Sequence, residues 1–288
     1  MSSGDAELSL KERAMDLVRY NRLFVVGLVI TLLFLCLALA APLIAPQDPM
    51  AIDFDTKLEA PGLAHWFGTD VLGRDIFSRV VHGARTSLLT GLMVVSVALL
   101  IGIPVGLVAG YYGGRIDMIL MRIADVFHAF PPLLLPIAIT AALGPGLYNA
   151  LMALAISWFP WYARILRASV ISIKEELYVQ SSQAMGMHPA RIMMKHALPN
   201  STTPVIVQAS MDFGYTILAA ASLSFIGMGA RPPTIEWGLM ISNSRAIFLE
   251  YWWTAFFPGA AIFLLVLGVN LLGDGIRDIL DPHYSDKK

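Results

Sequence analysis

"EELYVQSSQAMGMHPARIMMKHALPN" spans Glu175 to Asn200 and lies between long uncharged stretches. Its pattern is helical on both sides of Gly186. In the first half Ile173, Leu177, Ser181 and Ala184 fall on one helical face, with Lys174, Glu175, Gln180 and Gln183 elsewhere. Gly186 follows the last turn, where a left-handed residue ends a helix at least steric cost. His188-Pro189 restarts one, because proline suits the first helical position. Ile192, Met193, Ala197 and Leu198 give the second helix an apolar side, and Pro199 is expected to stop it. Around the turn Ser181, Ser182, Ala184, Met185 and Gly186 make a small, soft surface that another backbone can approach closely. The segment is therefore either an amphipathic helix lying on lipid or an element that docks a protein. Glu175 and Glu176 offset Lys174, which weakens the lipid reading.

Outward from this stretch the chain is apolar. Of 288 residues 57% are hydrophobic and only 14% charged, with a mean hydropathy of +0.66. Soluble domains carry about 25% charged residues. Residues 23–45, 86–114 and 251–273 hold no charge over 23, 29 and 23 positions. Each is long enough to cross about 30 Å of hydrocarbon as a helix. Residues 126–163 lack Asp, Glu, Lys and Arg and are interrupted by "LGPG" at 143–146, which reads as two spans joined by a tight turn. Residues 196–230 add a span with a single acid, Asp212. The expected fold is an all-α membrane protein of six transmembrane helices with a cytoplasmic helical hairpin.

The domain limits follow: a polar tail over 1–22, a first transmembrane helix over 23–45, and an extracytoplasmic segment over 46–85. A transmembrane core covers 86–280 with the cytoplasmic loop at 172–199, and a tail covers 281–288. Basic residues before the first span and "ALA" at 38–40 resemble a cleavable leader. The apolar stretch runs past that tripeptide, so the span reads as a retained anchor. Of the 20 Lys and Arg, fourteen fall on the side of the termini and six on the other, which places both termini in the cytoplasm. The single cysteine, Cys36, excludes an intramolecular disulfide, and a net charge of -1 gives no argument for nucleic acid.

Ionisable residues inside spans are functional candidates by default. Asp125 and His128, three apart, share a helix face near one membrane boundary. Asp125 reads as the partner of an arginine, and His128 as either a pathway or a core residue. Asp212, well inside a span, is the better pathway candidate, with a helix-packing hydrogen bond as the alternative. In the outer segment "GTDVLGRD" holds Asp70, Arg74 and Asp75. These charges fix the loop, and the loop's outer surface is free to meet a partner. The terminal "GDGIRDILDP" spaces Asp274, Arg277, Asp278 and Asp281 for salt bridges.

The opening stretch resembles the "EAA" loop of ATP-binding-cassette importer permeases. Gln180-Ser181-Ser182 stands where Glu-Ala-Ala is usual, and Gly186, Leu198 and Pro199 match, with thirteen positions from glycine to proline. "FGTDVLGRDIFSRVVHGARTSL", "LSFIGMGARPPTIEWGLMI" and "FPGAAIFLLVLGVNLLGDGIRDILDP" are similar to the dipeptide, oligopeptide and nickel permeases of the DppC/OppC type. The resemblance implies a bacterial inner-membrane subunit working with a second homologous permease, two ATPase subunits and an extracytoplasmic substrate-binding protein. It implies that Glu175, Glu176, Gln180, Ser181, Ser182, Ala184, Met185, Gly186, His188, Arg191 and Pro199 form the surface that docks an ATPase.

Other functions are weighed against this one. No "GK" dipeptide occurs, so the chain holds no phosphate-binding Walker loop. ATP and Mg would then reside on the partner ATPase, with no cofactor in this chain. Neither HExxH nor GxSxG is present, which removes two protease chemistries. A self-contained channel or ion-coupled transporter is the alternative, but few buried ionisable groups are available to bind a coupling ion. No His/Cys cluster argues for a naked metal as cargo or ligand. Peptide is the preferred substrate.

Overall fold

In the computed structural model, which describes residues 21–280, each apolar run carries a helix. The expected tails at 1–22 and 281–288 lie outside the described residues apart from Asn21 and Arg22. Asn21 caps α1 (Arg22–Ile44), its side-chain oxygen accepting from the Phe24 N–H at 3.1 Å. Then come α2 (Ile76–Tyr112), α3 (Gly114–His128), α4 (Leu134–Leu143) and α5 (Leu147–Lys174). The hairpin follows as α6 (Leu177–Ala184), α7 (Pro189–Ile192) and α8 (Leu198–Ser201), with a π-helical turn over Met193–Ala197 between the last two. The chain ends with α9 (Thr203–Phe225), α10 (Trp237–Ser244) and α11 (Trp253–Leu280).

Four of these, α1, α2, α9 and α11, are long and apolar enough to span a membrane on their own. Helix α5 has the length, at 28 residues, but is more polar because Arg164 and Arg167 lie along it. The third expected span is not one helix. Pro131 and Pro132 lack backbone N–H groups and break it over residues 129–133, leaving the amphipathic α3 and a ten-residue α4, about 15 Å long. Helix α2 begins at Ile76, ten residues earlier than the uncharged run, so the end of the 46–85 segment is already helical.

Lipid tails are as apolar as leucine, so helix association in a bilayer relies on close packing. Three glycines at four-residue spacing on α2 provide it. A Cβ on Gly102 would lie 2.7 Å from the Phe159 carbonyl oxygen, one on Gly106 2.4 Å from that of Ala163, and one on Gly110 2.9 Å from that of Arg167. The α2 and α5 backbones thus meet along three successive turns. Helices α1 and α11 approach in the same way, with Gly27 against the Gly268 carbonyl and Gly275 against the Phe24 ring. The opposite face of α1 exposes Leu32, Leu35, Leu39 and Leu43, the surface expected of a helix facing lipid.

Two apolar cores result. One joins α2, α5 and α9 and continues into the hairpin through Val179, Ile192 and Ala197. The other, at the opposite end of α2, centres on Trp237, which is fully buried. Its indole N–H donates to the Val80 carbonyl at 2.9 Å, and its ring meets Phe34 edge-on at 5.8 Å. Glu236 caps α10, accepting from the Gly238 and Leu239 N–H groups at 2.8 Å each. Burial pushes its carboxyl above the usual range, and those two N–H groups hold it back.

Gly106→Ala forces the Ala163 backbone to move and is expected to destabilise the bundle by about 1–3 kcal/mol. Gly146→Ala, where a Cβ meets nothing within 4 Å, is expected to change stability by less than about 0.5 kcal/mol. Thermal unfolding of the two variants in detergent checks the difference.

Candidate functional site

At one end of the bundle the hairpin leaves α5 at Glu175. Helix α6 ends in a paired cap: the Gly186 N–H donates to the Gln183 carbonyl at 2.9 Å and the Met187 N–H to that of Ser182 at 3.1 Å. Gly186 has φ +75°, and a Cβ there would meet nothing within 4 Å. The His188 ring nitrogen caps the next helix, accepting from the Ala190 N–H at 3.3 Å, and Pro189 takes the first helical position. The turn is as the sequence predicts.

Two details differ. Pro199 does not stop the helix: the π turn over 193–197 shifts the register just before it, so the missing N–H is absorbed and the chain continues through α8 towards α9. One residue of the exposed surface expected around the turn, Ser182, is instead turned inward. Val179 and Ser182 are buried, the Ser182 hydroxyl donating to the Tyr178 carbonyl at 2.8 Å, while Leu177, Ser181 and Ala184 face out. Nothing in residue type separates Ser182 from its exposed neighbour Ser181. Glu175, Glu176, Gln180, Met185, Arg191 and Pro199 are exposed. Gln180 turns its amide back onto the Glu175 carbonyl at 3.0 Å.

Between α3, α4, α5 and α9 lies a cavity of about 330 Å³. Asp212 and His128 both line it, beside Gln208, Trp158, Trp161 and Tyr215. Gln208 donates to Asp212 Oδ1 at 2.9 Å. The walls are aromatic: Trp158 stacks on Tyr215 with centroids 5.2 Å apart, and His128 on Trp161 at 5.9 Å. His128 Nδ1 faces the Ala124 carbonyl at 3.1 Å. Asp125 does not join them, because it is paired with Arg164. One turn beyond Arg164 on α5, Arg167 pairs with Asp117 at 2.6 Å. The aromatic walls escaped the sequence reading because they come from helices far apart in the chain.

At the other end, Asp70 folds its own loop. Its Oδ1 accepts from the Leu72 and Arg74 N–H groups at 2.8 and 3.1 Å, and its Oδ2 from Arg74 Nε at 2.7 Å. Asp75 caps α2 through the Ser78 N–H at 2.7 Å and faces His65 Nδ1 at 3.0 Å. Gly73, at φ +71°, is irreplaceable, since a Cβ would overlap the Asp53 carbonyl. Phe67 stacks on Phe257 at 3.9 Å and ties the segment to α11. In the last helix, Asp274 and Arg277 are exposed, and among the described residues Arg277 forms none of the ion pairs that the spacing allowed; such exposed pairs contribute little.

Long apolar helices, an acid-bearing cavity among them and a solvent-facing hairpin at one end describe a multi-pass membrane permease. Residues 102–286 match the family described as "Binding-protein-dependent transport system inner membrane component", and residues 9–61 match the "N-terminal TM domain of oligopeptide transport permease C". The chain is 49% identical over 265 residues to the dipeptide transport system permease protein DppC of Alkalihalophilus pseudofirmus, covering 92% of this chain and 87% of that one. It is 46% identical to the probable D,D-dipeptide transport system permease protein DdpC of Escherichia coli, covering 94% and 91%. It is 46% identical to the glutathione transport system permease protein GsiD of Pectobacterium atrosepticum, covering 87% and 84%. Among solved structures, an inward-facing MetNI methionine ABC transporter matches in fold with TM-score 0.57 at 20% identity, over 70% of this chain and 96% of that one. The chain belongs to the binding-protein-dependent transport system inner-membrane components, as a permease subunit of the DppC/OppC type.

Asp75→Ala removes the α2 cap and leaves His65 without its partner. It is expected to destabilise this segment by about 1–2 kcal/mol, read as faster hydrogen exchange over residues 46–80.

Proposed function

We propose that this chain forms half of an ATP-driven import pathway for di- or oligopeptides and that its hairpin receives the driving motion from a separate ATPase subunit. The observation that carries this reading is the Gly186 turn. It is held in a left-handed conformation with open space around it, while Met185 beside it is 75% exposed and Leu177, at the start of α6, 79%. Exposed large apolar side chains around a turn without side-chain bulk favour a protein partner. The inner face, meanwhile, is fastened to the transmembrane core through Val179 and Ile192, so force applied to the hairpin reaches α2 and α5. Glu175, Gln180, Ser181, Ala184, Met185, Gly186, His188 and Arg191 form the docking surface, with Glu176 and Pro199 at its ends. Ser182 acts from within by holding α6 together.

The peptide assignment rests on the dipeptide, D,D-dipeptide and glutathione permeases that the chain is similar to. A second homologous permease completes the pathway, two ATPase subunits carry ATP and Mg, and a binding protein delivers substrate to the outer segment. Six crossings are formed by α1, α2, α3 with α4, α5, α9 and α11, with both termini cytoplasmic in the inner membrane. A reporter fused at Gly186 is then expected to read cytoplasmic and one at Gly62 extracytoplasmic. The same side for both overturns this topology.

Docking is tested at Gly186 and Ala184. Gly186→Val strains the left-handed residue by about 1–2 kcal/mol and adds bulk to the contact. Gly186→Asn, which tolerates that conformation, keeps the bulk without most of the strain. Ala184→Glu places a charge on the exposed face without entering the chain's own core, as a change at Ser182 would. All three variants are expected to insert at normal abundance, to lose ATPase subunits on co-purification and to abolish ATP-dependent peptide uptake. Intact assembly and uptake in all three would leave the hairpin a lipid-facing element.

A further inference from the structure

We infer that the Asp212 cavity is a recognition site for a protonated amine, which in a transported peptide is its amino terminus. This deepens the permease reading and rests on it. Asp212 lies within the apolar core helix α9, where an ionised carboxylate is costly without a cation. Among the described residues no lysine or arginine pairs with it. Gln208 supplies a hydrogen bond but no charge, and the Tyr162 hydroxyl approaches without completing a bond of good geometry. The lining holds no lysine or arginine. His128 is its one imidazole, with Nδ1 turned to a backbone carbonyl.

The remaining walls suit the same ligand. Trp158, Trp161 and Tyr215 line it with aromatic rings, whose π quadrupole attracts ammonium groups. Desolvation in an apolar pocket strengthens both that attraction and the pairing with a carboxylate. A substrate carboxylate would meet Asp212 as a like charge. A zwitterionic dipeptide entering the cavity is therefore oriented, with its ammonium end toward Asp212 and its carboxylate away.

The test uses n-pentylammonium as a probe and n-pentanol as its neutral counterpart, titrated calorimetrically into the assembled transporter in nanodiscs. The wild-type complex is expected to bind the amine more tightly than the alcohol. Asp212→Asn keeps the shape and the Gln208 contact, and is expected to weaken amine binding about tenfold or more while leaving the alcohol unchanged. Asp212→Glu is expected to restore most of the amine preference, and Trp158→Leu to lower it by less than Asp212→Asn. Subunit co-purification confirms that the variants assemble. Equal affinity for amine and alcohol, or an Asp212→Asn complex that binds amine like wild type, overturns the inference, as it would if the carboxyl stayed protonated. That result in a complex which still moves peptide with ATP leaves the permease function standing. Amine binding through Asp212 without ATP-driven peptide uptake would sink the transport reading instead.

Discussion

The close approach of α2 and α5 is the constraint on which the rest of the molecule depends. Gly102, Gly106 and Gly110 each bring a carbonyl of α5 within the space a Cβ would need. In lipid, where burial between helices gains no hydrophobic energy, such a seam supplies dispersion contacts that larger residues would prevent. The seam also sets distances elsewhere. The α5 turn gripped by Gly102 and Gly106, from Phe159 to Ala163, carries Trp161 on its cavity side, with Trp158 immediately before it. Near Gly110, Arg167 and Val170 lead directly to Lys174 and the hairpin. A helix held rigidly at three points thus presents cavity walls along its length and the hairpin at its end.

This arrangement gives the hairpin a mechanical connection. Val179, Ile192 and Ala197 share one core with Leu166, Val170 and Leu223. A close-packed core transmits displacement because it has few voids to absorb it. The π turn at 193–197 interrupts the regular ladder at the junction between hairpin and α9. Such bulges are frequent at functional sites, and here the bulge lies between the surface assigned to the partner and the helix that bears Asp212. Both ends of the hairpin, through α5 and α9, therefore run to the same cavity.

Legibility in the sequence followed the range of the interactions. The uncharged runs, the Gly186 turn and the restart at Pro189 depend on neighbours within a few residues, and all were readable. So was the pairing of Asp70 with Arg74, but the capping role of Asp75 was not, because the helix it starts begins ten residues before the uncharged run. The burial of Ser182 was not readable either, because residue type does not separate it from the exposed Ser181 and only the position of the core decides between them. Pro199 was misread because a register shift ahead of a proline leaves no mark in residue type. The four-residue spacing of Gly102, Gly106 and Gly110 was present in an apolar run, but it names no partner helix. The aromatic walls were invisible for the same reason.

The disposition of charge separates scaffold from site. Asp70 spends its oxygens on Arg74 and two backbone N–H groups, and Asp75 on Ser78 and His65. Asp117 and Asp125 are neutralised by Arg167 and Arg164, and Glu236 by the first N–H groups of α10. These carboxylates are satisfied where they stand and specify the fold. The segment before α2 also turns Leu63, Phe54 and Trp66 to the surface, at 99%, 67% and 56% exposure, beside the exposed charges Asp55, Lys57 and Glu59. Asp212 departs from this pattern. It has an amide for a partner and aromatic rings for neighbours, and it opens onto a cavity. The two acids of α3 are matched with arginine, whereas among the described residues no cation pairs with Asp212, which leaves its charge for a ligand to meet.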